Sequence, residues 1–96
     1  MRRCYLVCYD IRDPKRLRGV HRVVKGFGAA WQFSIFFCVL KPIDRVRLQA
    51  ELEEEMNLNE DQALIIDMGP DEDDARTAVQ TIGQSLPGLD RGMLVL

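Results

Sequence analysis

CYLVCYDIRDPKRLRGVHRVVKGFG, residues 4–28, holds a strand, a stop and a helix in succession. Cys4 to Tyr9 is apolar at every position, so both of its alternating faces are apolar and the segment reads as a strand buried on both sides. Asp10 ends the run with a bare carboxylate. Asp13-Pro14 then reads as a helix start, the Asp side chain as N-cap and the Pro in the first turn. Leu17, Val20, Val24 and Phe27 recur at helical spacing as one apolar stripe, and the opposite surface carries Lys15, Arg16, Arg18, Arg22 and Lys25. The helix runs out near Gly26-Phe27-Gly28.

Working outward, AAWQFSIFFCVL at 29–40 is again apolar on both faces apart from Gln32 and Ser34. It reads as one bent strand or as two strands with a tight turn, and periodicity alone does not separate these. Pro42 opens a second helix whose buried side is expected from Val46, Leu52 and Met56 with Leu48 or Ile43, with Glu51, Glu53, Glu54 and Glu55 facing water. That helix should end near 57–59. Ala63 to Met68 forms another strand, closed by Gly69-Pro70. Residues 71–83 begin with four acids and continue as a short helix with Ala75, Ala78, Val79 and Ile82 on one side. Four contiguous acids suggest a metal site, but favourable charge at a helix start explains them more simply. Pro87-Gly88 makes a turn, and an apolar run closes the chain.

Strands interleaved with helices in 96 residues make one domain, 1–96, of the α+β class: a ferredoxin-like two-layer plait, an antiparallel sheet with two helices on one face. Since the strands are apolar on both faces, the face without helices needs a cover. A second copy of the same sheet supplies it, which predicts a face-to-face homodimer. The terminal strand at about 92–96 is too short to stand alone and is expected to pair with a sheet edge, that of the partner protomer included.

The 47% hydrophobic and 29% charged composition is that of a soluble globular protein, with no apolar stretch near the roughly 20 residues of a membrane span. Met1-Arg2-Arg3 imitates the start of a signal peptide, but Asp10 interrupts the apolar run and no small-residue cleavage site follows, so a cytoplasmic location is expected. Three cysteines, Cys4, Cys8 and Cys38, are a poor disulfide framework and read as reduced, buried thiols. On a strand, Cys4 and Cys8 stand roughly 13 Å apart, too far to share a metal.

The net charge of −2 conceals a division of the chain. Residues 1–47 carry eleven Lys and Arg against three acids, a balance of +8, and residues 48–96 carry two Arg against twelve acids, a balance of −10. Such asymmetry suggests a polyanionic partner for the first half, though two solvated surfaces of opposite sign would produce the same count.

Asp10 stands where the first strand runs out, the place where ligands gather in open α/β sheets. Mg²⁺ or Mn²⁺ keeps several waters and needs only one or two protein carboxylates, so Asp10 is a candidate metal ligand, above all if a twofold axis brings two copies together. The competing reading is a helix-start acid satisfied by backbone N–H groups or by Arg12. Tyr9 either stacks on a base or packs in the core. Arg12, Lys15, Arg16, Arg18 and Arg22 either form a solvated face or grip phosphates on such a site, where a metal held by Asp10 inverts the local charge and acid and cations act on one strand. His21, the only histidine, falls on the basic helix and reads as a surface residue, and a Ser-His-Asp centre or His-rich zinc site is excluded.

YLVCYDI at 5–11, Arg16, Gly28, and Gln32, Ser34 and Phe36 of WQFSIFF in the places of a Q-x-S-x-F pattern together resemble the CRISPR-associated protein family numbered two. The resemblance runs from about Tyr5 to Gly69. It implies a ferredoxin-like homodimer, the small subunit of the spacer-acquisition complex, which binds duplex DNA beside a larger CRISPR integrase subunit. It also implies a metal-dependent endonuclease activity on RNA or DNA, with Mg²⁺ or Mn²⁺ as cofactor. By matching position Asp10 is the metal carboxylate and a catalytic residue, Tyr9 its catalytic neighbour, and Arg16, Arg18 and Phe36 further neighbours of the site. Just before Gln32 the family often has a basic residue, where this chain has Ala30 and Trp31. Two other readings stay open: a toxin-like endoribonuclease of the same plait, and a non-enzymatic RNA-binding or regulatory plait in which Asp10 only starts a helix.

Overall fold

The computed structural model describes residues 1–86. The elements run β1 (Arg3–Asp10), α1 (Pro14–Lys25), β2 (Gly28–Gln32), β3 (Ile35–Leu40), α2 (Pro42–Glu55), β4 (Gln62–Gly69) and α3 (Glu72–Thr77). The four strands form one sheet in the order β2-β3-β1-β4, and every neighbouring pair is antiparallel. This is the expected ferredoxin-like α+β plait. The stretch 29–40 resolves into a hairpin, β2 and β3, joined at Phe33-Ser34, with a register shift between Ala30 and Gln32. The expected strand at about 92–96 lies outside the described residues.

Alternation along each strand sorts the residues onto two faces. On one, Tyr5, Val7 and Tyr9 of β1 and Phe36, Cys38 and Leu40 of β3 pack with Val20 and Val24 of α1 and Leu48 and Leu52 of α2. Asp13 caps α1 as the sequence indicated, its carboxylate accepting from Arg16 N at 3.0 Å with Pro14 in the first turn. α2 differs from expectation on one side. Leu48 and Leu52 are buried and Met56 packs behind them, but Ile43 and Val46 are 63% and 64% exposed. At about 100° per residue Val46 stands roughly 160° around the helix from Leu48, so a stripe centred on Leu48 and Leu52 must leave it in solvent. The flank is filled by a long polar stem instead, Arg45 lying over the Tyr5 ring at 5.6 Å.

The second face is not left bare for a partner copy. Cys4, Trp31, Phe37 and Ala75 are buried there, with Leu6, Ile35, Val39, Met68, Val79 and Leu86 packed against them. α3 lies on this side, pinned by Arg76 over Phe37 at 4.6 Å while Trp31 stacks beneath at 4.7 Å and 4°. α3 is shorter than the helix expected over 71–83, and Ile82 is 91% exposed beyond its end. Its acids cap the helix, with Asp71 accepting from Asp74 N at 2.8 Å. The uncovered part of the face is a strip along β4, where Leu64 and Ile66 are 49% and 42% exposed.

Cys4 and Cys38 are buried, Cys8 is half-buried, and all three are free thiols. Burial pushes the Cys38 thiol up to about 12, so it stays protonated and packs as a small apolar group.

Close approach of β2 to β3 requires Gly28: a Cβ there would collide with Cys38 Sγ and the Phe37 carbonyl. Gly28→Ala should therefore lower stability by about 1–3 kcal/mol, read as a shift in the urea midpoint at constant slope. Gly26→Ala is the control, since its methyl would meet only Val23 O at 3.3 Å and Arg22 O at 3.9 Å within its own helix, and it should leave the midpoint unchanged or slightly raised. Equal losses at the two positions would refute the steric account.

Candidate nucleic-acid interface and metal carboxylate

Asp10 is the last residue of β1, exposed, and paired with Gln62 at the start of β4. Its even number places it, with Cys4, Leu6 and Cys8, on the face away from α1 and α2. It lines a shallow hollow with Cys8, Tyr9, Gln62 and Leu64. Among the described residues no hydrogen bond or ion pair reaches its carboxylate, so the helix-start reading, in which backbone N–H groups or Arg12 satisfy it, does not apply. Among the described residues no group of three or more His, Cys, Asp or Glu converges on a metal-sized point. Among the described residues this strand end thus offers one carboxylate without a partner, a donor set suited to a hydrated hard cation and too small for a dedicated cage.

Tyr9 points the other way. Its ring is 6% exposed beneath the helices, its hydroxyl donates to Phe33 O at 3.2 Å, and the same oxygen lies 2.9 Å from His21 Nδ1. With its one proton on the carbonyl, the hydroxyl accepts from His21 Nδ1–H. Burial holds the phenol above its ordinary pKa, so it is a neutral, buried group whose ring lies on the opposite face of the sheet from Asp10. Phe36 is likewise a core residue, 1% exposed and stacked on Tyr9 at 6.3 Å, and no nucleic acid reaches it.

Arg16 is also committed elsewhere. Its guanidinium donates to Asp61 through Nε at 2.8 Å and to Glu60 through Nη2 at 3.0 Å. Asp61 has no exposed side-chain surface and accepts in addition from Arg12 N and Asn57 N, both at 2.9 Å. The hydrogen bond from Arg16 holds the Asp61 carboxyl far below the usual carboxylate range, and the two backbone donors add to it. Arg16 is therefore held by two acids at the sheet end. Sequence reasoning had no local signal for the part of Asp61 that matters most, since its partners Arg16 and Arg12 lie 45 and 49 positions away. His21 did carry one: it falls four residues after Leu17 and three before Val24, on the border of the apolar stripe, and its ring packs on Phe33 and Phe36.

The remaining cations of α1 behave as expected. Lys15, Arg18, Arg22 and Lys25 are exposed, spaced three, four and three apart along the outer face, and among the described residues none has an acidic partner. Arg12, in the loop after β1, is exposed with its guanidinium equally unengaged. The structure separates this stripe from Asp10. A helix layer stands between them, placing the tips of Arg18 and Arg22 about 15 Å above the sheet while Asp10 faces out below it. Only Arg12 shares the strand end with Asp10.

With that geometry in hand, comparison with known proteins settles the family. The profile of the family described as CRISPR associated protein Cas2 matches residues 2–76. The chain belongs to the Cas2 family. A curated relative from Rhodospirillum rubrum, a CRISPR-associated endoribonuclease Cas2, is 37% identical over 92 residues, covering 96% of this chain and 89% of that one. A CRISPR-associated endoribonuclease Cas2 from Geobacter sulfurreducens is 34% identical over the full length of both chains. Among solved structures, Streptococcus pyogenes Cas2 superposes with a TM-score of 0.73 at 27% identity, covering 83% of this chain and 99% of that one. A hypothetical protein from Thermus thermophilus gives 0.76 at 25%, covering 91% and 96%. No helix among the described residues is long and apolar enough to cross a membrane.

The Asp61 cluster dictates how the fold responds to acid. A carboxyl whose folded pKa is depressed below its unfolded value, about 3.9, contributes stability that is present above that value and lost as pH falls through the folded one. Melting temperatures measured from about pH 6 downward should hold until about pH 4 and then fall steadily. Asp61→Asn should melt lower at neutral pH and lose less on acidification, whereas two curves that stay parallel throughout would exclude Asp61 as the source.

Proposed function

We propose that the protein is a homodimeric, nucleic-acid-binding subunit of a CRISPR spacer-acquisition complex, gripping duplex DNA through α1 and serving beside a larger integrase subunit. The observation that carries this reading is the stripe of Lys15, Arg18, Arg22 and Lys25: four cations on one exposed helix face with no acidic partner among the described residues. Cations spaced along a helix neutralise successive phosphates without reading bases, so binding is sequence-independent and driven by counterion release. The exposed strip of Leu64 and Ile66, beside Asp10 on the sheet face away from α1 and α2, supports a second copy as its cover. β4 is an edge strand, and the segment at about 92–96 is of a length to pair along such an edge, in the partner protomer.

Metal-dependent cleavage of RNA or DNA is the second activity in this reading, and the names of the curated relatives favour RNA. Asp10 would hold Mg²⁺ or Mn²⁺, jointly with the Asp10 of the other copy. Such an ion supplies charge neutralisation at a phosphoryl oxygen and a more acidic bound water. The protein's own part is to aim an unpaired carboxylate from the end of a hydrogen-bonded strand, with Arg12 beside it for the phosphate.

Two measurements test these parts separately. Duplex affinity titrated against salt should fall log-linearly, and the Arg18→Ala, Arg22→Ala double variant should flatten the slope by about 2, at 0.9 per phosphate contact removed. A slope identical to wild type would remove α1 from the interface. Asp10→Asn should abolish Mg²⁺-dependent cleavage of RNA and duplex DNA while sparing duplex affinity and dimerisation. Cleavage that survives the substitution would dismiss Asp10 as the metal ligand.

A further inference from the structure

Phe33 is an exposed aromatic held rigidly, and its rigidity has a specific source. It sits in the β2–β3 turn with 68% of its surface in solvent. One ring face lies on His21, centroids 5.3 Å apart and planes inclined by 18°. His21 is fixed in turn by the edge of Phe36 at 5.5 Å and by the Tyr9 hydroxyl at 2.9 Å. The same hydroxyl donates to the Phe33 carbonyl at 3.2 Å, so backbone and ring of the turn hang from one buried phenol. An isolated exposed phenylalanine needs no such arrangement.

The helix face that backs this ring is cationic. His21 lies on α1 with Arg18 three residues before it and Lys25 four after, the spacing at which helix side chains are neighbours, about 5–6 Å between Cβ atoms. Both are exposed and, among the described residues, without an acidic partner. Phe33 therefore presents its free face at the border of the stripe, with a cation one turn to either side of the residue that backs it. An exposed apolar ring backed by a helix that carries unpaired cations on both sides of His21 suits an unpaired base with its flanking phosphates, whereas a duplex keeps its bases stacked internally and offers α1 only its phosphates.

We infer that Phe33, backed by His21 and held by Tyr9, is a stacking platform for one unpaired nucleobase, making the rim of α1 a site for single-stranded nucleic acid. This rests on α1 being the nucleic-acid surface and adds to it a preference that phosphate contacts alone do not supply. Stacking on an aromatic is tolerant of base identity, so the site discriminates single strand from duplex and not one sequence from another.

The test compares wild type, Phe33→Ala, Phe33→Leu and Phe33→Trp for binding of a short oligothymidylate and of a blunt duplex at one salt concentration. Phe33→Ala and Phe33→Leu should weaken oligothymidylate binding by about 5- to 150-fold, the equivalent of roughly 1–3 kcal/mol for one stacked base, and leave duplex affinity unchanged. Phe33→Trp should retain single-strand affinity or improve it. Phe33→Leu guards against a folding artefact, since it keeps apolar bulk and loses only the π face. Independently, irradiating wild type with oligothymidylate carrying one 5-iodouracil should place the adduct on Phe33. Unchanged oligothymidylate affinity in Phe33→Leu, equal losses for both ligands, or an adduct confined to other residues overturns the platform. If the Arg18→Ala, Arg22→Ala variant also keeps full duplex affinity and salt dependence, the underlying nucleic-acid reading of α1 fails with it. Loss of duplex affinity in that variant alongside an unaffected Phe33→Leu rejects the platform alone.

Discussion

The Asp61 carboxylate ties together three stretches of chain. It accepts from Arg12 N in the loop leaving β1, from Asn57 N in the loop entering β4, and from the Arg16 guanidinium one turn into α1. A carboxylate with no exposed surface is tolerated only when its oxygens are fully used, and removing any partner leaves charge stranded in a poorly hydrated site. The end of the sheet is therefore fixed as a unit. Asp10 and Gln62 stand opposite each other because the loops that follow and precede them are bound to the same side chain. The candidate metal carboxylate is accordingly aimed by a second carboxylate that never touches the ligand.

That clamp also explains how the chain's charge is distributed. The acidic half of the sequence neutralises only part of the basic half in the fold. Asp61 and Glu60 take up Arg16, Asp67 takes up Arg3 at 3.0 Å, and Asp44 and Glu51 on α2 take up Arg47 of the same helix. The acids of α3 lie across the sheet from α1, where Glu72 pairs with Arg76 at 2.7 Å. In these ion pairs the acid engages a cation at the sheet end or on its own element, and among the described residues the outer face of α1 is left positive. A net charge of −2 is thus compatible with a strongly cationic surface, because the charges are segregated by face.

Much of this was legible in the sequence. Asp13-Pro14 fixed the start of α1, the apolar runs fixed three of the strands, and the order of elements specified the plait. What the sequence hid was long-range or angular. Phe36 and Tyr9 occupy strand positions whose facing depends on register, and a shift of one residue decides between a buried ring and an exposed one. Val46 looked like a core residue because the apolar positions of α2 fit more than one stripe, and only packing against Tyr5 and Leu48 chooses among them. Arg16 could not be told from Arg18 by composition: two residues apart on a helix they point roughly 160° from each other, one toward Asp61 and the other into solvent. The second layer over the sheet was missed because α3 is short, its cover of Trp31 and Phe37 depending on one arginine stacked on a ring.

The two chemistries attributed to this fold occupy opposite sides of it. The exposed cations of α1 project from the outer helix layer, and Asp10 projects from the sheet face beyond, with a core of Tyr5, Val7, Phe36, Leu48 and their neighbours between. In the proposed homodimer the sheet faces turn inward, so a duplex lying along α1 on the outside does not reach either Asp10. Binding of a duplex and hydrolysis at Asp10 are then independent properties of one chain, each removable without the other. A flexible single strand is not so restricted, since it can bend around the β2–β3 turn, where Phe33 stands at the same end of the sheet as the exit of β1. Backbone contact makes that proximity concrete, as Tyr9 N donates to Ser34 O at 3.2 Å immediately before Asp10. Asp10, Arg12 and Phe33 thus share one end of the sheet, an exposed carboxylate, an exposed cation and an exposed ring, so the proposed single-strand site and the proposed metal carboxylate lie at the same end while the proposed duplex surface lies on α1.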